Sequence, residues 1–282
     1  MTTPQIVNTI GLLRTRLAAV RREGARIGLV PTMGALHDGH LSLVQKTRKH
    51  ADKVVVSIFV NPTQFAPHED FDSYPRTLDA DARKLAAAGG TDVVFAPSVG
   101  EMYPQGFATR IEVGGPSRGL ETDFRPHFFA GVATIVAKLL LAVMPDTATF
   151  GEKDYQQLLV VRRLAADLGL ATEIVGAPIA READGLAMSS RNVYLKPDER
   201  RIAGQMNAVL KRVIAELRGG IPVAAAEDAG TRGLLEAGFG SVDYVAVRDA
   251  NTLEPVDSLA APARILAAAK VGNTRLIDNL AV

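Results

Sequence analysis

The chain has 282 residues, 47% of them hydrophobic, which is enough for one large or two modest domains with a sizeable core. Its 32 basic and 31 acidic residues leave a formal charge of +1, so it lacks the one-sided basicity of a general nucleic-acid binder, and without Trp it is poorly equipped to stack on extended RNA. It has no cysteine, which excludes disulfides, thiolate catalysis and zinc–thiolate sites and fits a reducing compartment.

The N-terminus has no basic-then-apolar signal region, and the apolar run Ile135 to Met144 contains Lys138 and is too short to span a bilayer. A soluble, cytoplasmic protein is expected. In chain order, Ile27–Val30 reads as a buried strand, followed by an amphipathic helix from about Leu41 to His50. Val54–Val60 is a β-branched strand ended by Asn61-Pro62. Thr77 to Ala88 reads as a helix, started by Thr77 and Asp79 and stopped by Gly89-Gly90. Asp92–Ala96 is a short strand, and Gly131 to Val143 an apolar helix stopped by Pro145. Ala148–Phe150, a helix over Asp154–Leu168 and Glu173–Val175 complete the alternation. Such a pattern predicts a Rossmann-like, doubly wound parallel sheet with helices on both faces and ligand loops along one edge. Beyond about Pro178 the character changes. One helix over Glu199–Arg218, a second over Ala224–Ala237 and strands at Val242–Arg248, Ala263–Lys270 and Thr274–Asn279 predict a smaller α+β domain. The expected division is therefore 1–178 and 179–282.

Four segments carry the chemistry. Pro31-Thr32-Met33-Gly34-Ala35-Leu36-His37-Asp38-Gly39-His40 joins a strand to a helix start, where free N–H groups and the helix dipole favour phosphate. Its two imidazoles add donors that can carry charge near neutral pH. Asn61 and Gln64 follow a strand on the same edge, and their amides can orient a hydroxy acid; a plain Asn-Pro turn is the alternative. Gly151-Glu152-Lys153-Asp154 again joins strand to helix, with Lys153 a point charge for a phosphate or carboxylate, or else exposed beside a capping Asp154. Gln157 lies one turn on, on the same helix face. Met188-Ser189-Ser190-Arg191 offers two hydroxyls and a guanidinium to phosphates, or is a Ser-rich turn capped by Asn192.

Together, in this order, these segments resemble the pantoate–β-alanine ligase (pantothenate synthetase) family, within the HIGH-type nucleotidylyl-transferase superfamily. The similarity runs over nearly the whole chain, including Ser57 to Phe65, Phe150 to Gln157, Asp184 to Asn192 and Thr274-Arg275-Leu276-Ile277-Asp278-Asn279. The resemblance implies that ATP and (R)-pantoate form pantoyl adenylate and pyrophosphate, and that β-alanine then attacks to give pantothenate and AMP. It assigns His37, His40, Lys153, Ser189, Ser190 and Arg191 to catalysis. Residues 31–37, His40, residues 151–154, Ala180 and residues 188–191 are assigned to ATP, and Asn61, Gln64 and Gln157 to pantoate and β-alanine. Ala180 matches a position whose backbone meets the adenine. The resemblance also implies Mg²⁺ travelling with ATP, without naming a protein ligand, although Asp81 stands within reach of that role. It implies a homodimer too, paired through a strand-edge region after Val54, and neither nucleic acid nor membrane as partner. Another adenylyltransferase, or a nucleotide-binding regulatory module, would keep the histidine loop but would not need Asn61, Gln64 and Gln157 together. One departure concerns Arg125-Pro126-His127-Phe128-Phe129: the family has histidine where this chain has Phe128, with His127 displaced by one position.

Overall fold

The computed structural model describes residues 4–66, 69 and 71–282. The elements are, in chain order, β1 (Gln5–Val7), α1 (Ile10–Arg22), β2 (Ile27–Thr32), α2 (Asp38–Thr47), β3 (Lys53–Ile58), α3 (Leu78–Ala88), β4 (Val93–Phe95) and α4 (Val99–Met102). Then follow α5 (Glu121–Phe124), α6 (Phe128–Val143), β5 (Thr147–Gly151), α7 (Tyr155–Asp167) and β6 (Glu173–Ala177). The remainder is α8 (Pro197–Ala203), α9 (Gln205–Arg218), α10 (Val223–Glu236), β7 (Ser241–Asp249), β8 (Ala263–Val271) and β9 (Thr274–Ala281).

The first six strands form one parallel sheet in the order β1-β4-β3-β2-β5-β6. Strand alternation sends Ile27 and Leu29 of β2 into a core shared with α1, α6 and α7, and Val30 into a second core with Leu43, Val44 and Leu85 of α2 and α3. Both faces are therefore covered by helices, as the near-continuous apolar strands require. From β2 the chain winds outward in one direction through β3 and β4, then returns to place β5 on the other side of β2. The crevice between β2 and β5 is thus the switch point of the sheet, where ligands of such folds bind. β3, which holds Val54, lies inside the sheet between β2 and β4, so it offers no free edge for dimer contact.

The other three strands form an antiparallel sheet, β7-β8-β9. Val245, Val247, Ile265 and Ala267 face α9 and α10, whereas Ala246 and Leu266 join the core around α7, so this sheet is packed on both sides. The single helix expected over Glu199–Arg218 is two, α8 and α9, meeting at Gly204. Gly204 stays helical at φ −59°, and a Cβ there would push the Asp184 carboxylate from its present position. β1 and α1 were not among the sequence-predicted elements; α1 buries Leu13 and Leu17 and packs Ile10 and Val20 beside them against the core. Among the described residues no helix is long and apolar enough to cross a membrane.

Candidate active site

The loops leaving β2, β3, β5 and β6 converge on a cleft of about 750 Å³. His37 is the N-cap of α2, and its Nδ1 accepts the Gly39 N–H at 3.1 Å. His40 Nδ1 accepts the His37 N–H at 3.3 Å, and the two rings lie 4.1 Å apart. With both Nδ1 atoms accepting, each neutral ring carries its proton on Nε2, so the pair offers two N–H donors at a helix start. A Cβ on Gly39 would stand 2.8 Å from the His37 ring, so a side chain there would push that ring from its capping position. Burial, then the charge of Lys153, lowers the His37 pKa to about 4. Burial, then His37 and Lys153, lowers that of His40 to about 3. The expectation of charged imidazoles near neutral pH is therefore corrected: both are neutral donors there, because partial burial and the nearby Lys153 charge disfavour the protonated form.

Asp81 shapes this loop. Its two oxygens accept the N–H groups of Ala35 and Leu36, at 3.0 and 2.8 Å, and Thr77 Oγ1 donates to it at 3.1 Å. Those bonds hold the left-handed pair Gly34 (φ 86°) and Ala35 (φ 50°), and they occupy the carboxylate that stood within reach of a Mg²⁺ role. Lys84 Nζ donates to Leu36 O at 2.6 Å. Pro31, Thr32, Met33, His37 and His40 line the cleft. Gly34, Ala35 and Leu36 do not: Leu36 is buried in the α2–α3 core, and the other two form the turn behind the wall.

Across the crevice, Gly151, Lys153 and Asp154 line the cleft from the turn after β5, with Gln157 on the first turn of α7. The Glu152 side chain pairs with Arg264 at 3.3 Å and does not line the cleft. Gln64 lines the cleft from the turn after β3. Its Oε1 accepts from Asn61 Nδ2 at 2.9 Å, leaving the NH₂ as the donor toward substrate. Asn61 is buried, fixed by Tyr103 Oη donating to its Oδ1 at 2.7 Å and by its own Nδ2 donating to Gly131 O at 3.2 Å. Asn61 thus sits behind Gln64 rather than on the cleft wall. Ala180, Met188, Ser189, Ser190 and Arg191 close the remaining side. Met188 N–H donates to Ala180 O at 2.9 Å, Ser189 Oγ accepts from Arg191 N–H at 3.2 Å, and Ser190 Oγ is 3.0 Å from Tyr74 Oη. This segment is at once a capped turn and a cleft wall. Phe128 lines the cleft under the Arg125 guanidinium, 3.9 Å from its centroid. His127 does not line it, and its Nε2 is buried without a hydrogen-bond partner among the described residues. The displaced histidine therefore does not stand in for the family one.

Two groups of cleft residues carried no sequence signal of a joint role. Arg125 forks onto Glu69 at 2.6 and 2.7 Å and lies 3.8 Å from Glu121. Glu121 in turn accepts two bonds from Arg275, at 2.7 and 2.8 Å, and one from Tyr244 Oη at 2.8 Å; Arg275 also reaches Asp243 at 2.6 Å. Burial alone would raise Glu121, but hydrogen bonds and charge from Arg275 outweigh it, so its carboxyl titrates below its usual range. Gln156 organises the loop before α5, accepting Glu121 N–H at 3.1 Å and donating to Pro116 O at 3.0 Å.

A family model described as pantoate-beta-alanine ligase matches residues 5–281. The pantothenate synthetase of Rhodopseudomonas palustris (strain HaA2) is 57% identical over 281 residues, covering 99% of each chain. A crystal structure of the enzyme from Thermus thermophilus superposes with TM-score 0.92 at 49% identity, covering 98% of each chain. The Francisella tularensis pantoate-beta-alanine ligase, solved with β,γ-ATP and β-alanine, superposes with TM-score 0.83 at 34% identity, covering 99% of this chain and 97% of that one. With full-length similarity to proteins of this kind, in sequence and in fold, the chain belongs to the pantoate–β-alanine ligase family.

Proposed function

We propose that this cleft condenses (R)-pantoate with β-alanine at the expense of ATP, in two steps. In the first, a pantoate carboxylate oxygen attacks the α-phosphorus; the bond to the β-phosphate oxygen breaks and pyrophosphate leaves. In the second, the β-alanine amine attacks the acyl carbon, a C–N bond replaces the C–O bond to AMP, and the amine loses a proton. The observation that carries this reading is the pair of Nε2–H donors at the start of α2 facing Lys153, with Gln64 and Gln157 on the same cleft.

His37, His40 and Lys153 supply donors where negative charge builds as pyrophosphate departs, the kind of preorganised electrostatic stabilisation that dominates many barriers. Ser189, Ser190 and Arg191 cover the outer phosphates. Pro31–Met33, Gly151, Asp154, Met188 and the Ala180 backbone bound the nucleotide. Gln64 and Gln157 orient pantoate, with Asn61 presenting the Gln64 amide. ATP brings Mg²⁺ as its counter-ion, a homodimer in the cytoplasm is the expected setting, and residues 1–178 and 179–282 are the two domains. The test is substrate dependence. Pyrophosphate release from Mg²⁺–ATP should require pantoate, and AMP release should require β-alanine in addition. Pyrophosphate released equally well with unrelated acids would overturn the reading.

A further inference from the structure

The segment Thr274–Asn279 has no role in the chemistry above, yet the end of β9 reaches both walls of the phosphate site. Asn279 Nδ2 donates to Glu152 O and to Lys153 O, each at 2.9 Å, so one carboxamide clamps the turn that carries Lys153. The amide cannot be reversed, because its Oδ1 accepts from the Arg264 guanidinium. Arg264 is itself fixed, lying 3.7 Å over the Tyr155 ring and pairing with Glu152. The neighbouring Asp278 takes a two-pronged bond from Arg181, at 2.7 and 2.8 Å. Arg181 follows Ala180 directly and also donates to Gly185 O at 2.9 Å, which ties it to the turn leading into Met188–Arg191. Successive strand residues point to opposite faces, so this adjacent pair can grip two different segments. Both residues are almost fully buried, at 4% and 2% exposure.

We propose that Asp278 and Asn279 are positioning residues for adenylate formation: they set the spacing between Lys153 and the Ala180–Arg191 wall. The proposal rests on the functional reading above and assigns neither residue a contact with substrate.

Asn279→Asp keeps the shape and the acceptor for Arg264 but cannot donate to the two carbonyls. It should slow pantoate-dependent pyrophosphate release by about 10- to 100-fold, the scale of a displacement near 1 Å at a reacting centre. Attack of β-alanine on supplied pantoyl adenylate should change by less than about threefold, because Lys153 acts in the first step. In a Lys153→Ala background the same substitution should add less than about twofold, since residues acting through one another are not additive. Arg181→Lys tests the other wall without altering a buried residue of the strand; losing the fork should raise the KM for ATP more than it lowers kcat. The proposal is overturned if Asn279→Asp releases pyrophosphate like the unaltered protein, if both half-reactions fall equally, or if its effect is undiminished without Lys153. Failure of the unaltered protein to release pyrophosphate with pantoate would instead overturn the functional reading, and this proposal with it.

Discussion

A histidine that caps its own helix through Nδ1 has only Nε2–H left to offer. In this cleft that is true of one imidazole, and the second is locked the same way by a backbone N–H, so tautomer and direction are set before ligand arrives. Removing one such donor, as in His40→Ala, should lower the rate of pyrophosphate release by about 10²- to 10³-fold. His37→Ala should lose a comparable factor and also about 1 kcal/mol of stability, because it deletes a helix cap. Rapid-quench pyrophosphate assays beside thermal melts separate the two effects, and an unimpaired rate in either variant would sink the assignment. The depressed pKa values carry a stability consequence as well. Folded values of about 4 and about 3 lie below the ordinary 6.5, so on acidification the unfolded chain takes up protons first. Stability from this source is complete above about pH 6.5 and lost as pH falls toward the folded values. Carboxylates such as Glu69 and Glu121 titrate in the same direction, so the control is the His37→Gln/His40→Gln double variant. Denaturant midpoints between pH 4 and 6.5 should fall less steeply for that variant than for the unaltered protein.

At the scale of elements, the site is a set of strand-to-helix joints, and such joints were readable where local chemistry forces them. His-x-Gly-His is one: apolar strand, small residues, then an N-terminal cap. Gly39 leaves room for the capping His37 ring, a relation between residues two apart. The turn at Asn61–Gln64 was readable as polar but not as a relay, because its partners, Tyr103 and Gly131, come from distant positions. Gly131 shows how α6 supports that turn: a Cβ there would collide with Thr63 O and lie 3.1 Å from the Gln64 nitrogen. Gly131→Ala should therefore destabilise the protein by about 1–3 kcal/mol, as overpacking does, and raise the KM for pantoate by displacing Gln64. Urea denaturation together with pantoate titrations would check it; an unchanged KM would place Gln64 outside the substrate site. β1 is faint in the sequence because it has three residues, whereas α1 carries a full helical stripe in Ile10, Leu13, Leu17 and Val20.

For the whole molecule, the parallel sheet and the small antiparallel sheet are joined by charges that no local pattern could announce. Glu69, Arg125, Glu121, Arg275 and Asp243 alternate in sign along the cleft and span 206 positions of sequence between Glu69 and Arg275. Removing an arginine from it strands a carboxylate in low dielectric, and removing a carboxylate strands a guanidinium. Arg275→Ala should cost about 3 kcal/mol or more by urea denaturation, since the Glu121 side chain is only 8% exposed. Arg201→Ala, whose partner Asp198 is 84% exposed, should leave the midpoint unmoved. Equal effects would contradict burial as the source of the difference. The fold class was thus legible from strand–helix alternation, whereas the docking of the two sheets was not, because it depends on pairs such as Glu121 and Arg275 that lie far apart in the chain. The alternation of sign has a consequence for descent. A lone charge change at any rung leaves its neighbour with surplus charge, so drift along this ladder is restricted to compensated exchanges. Aligned relatives should therefore lose the carboxylate at 121 and the guanidinium at 275 together, as a co-varying pair, far more often than either alone.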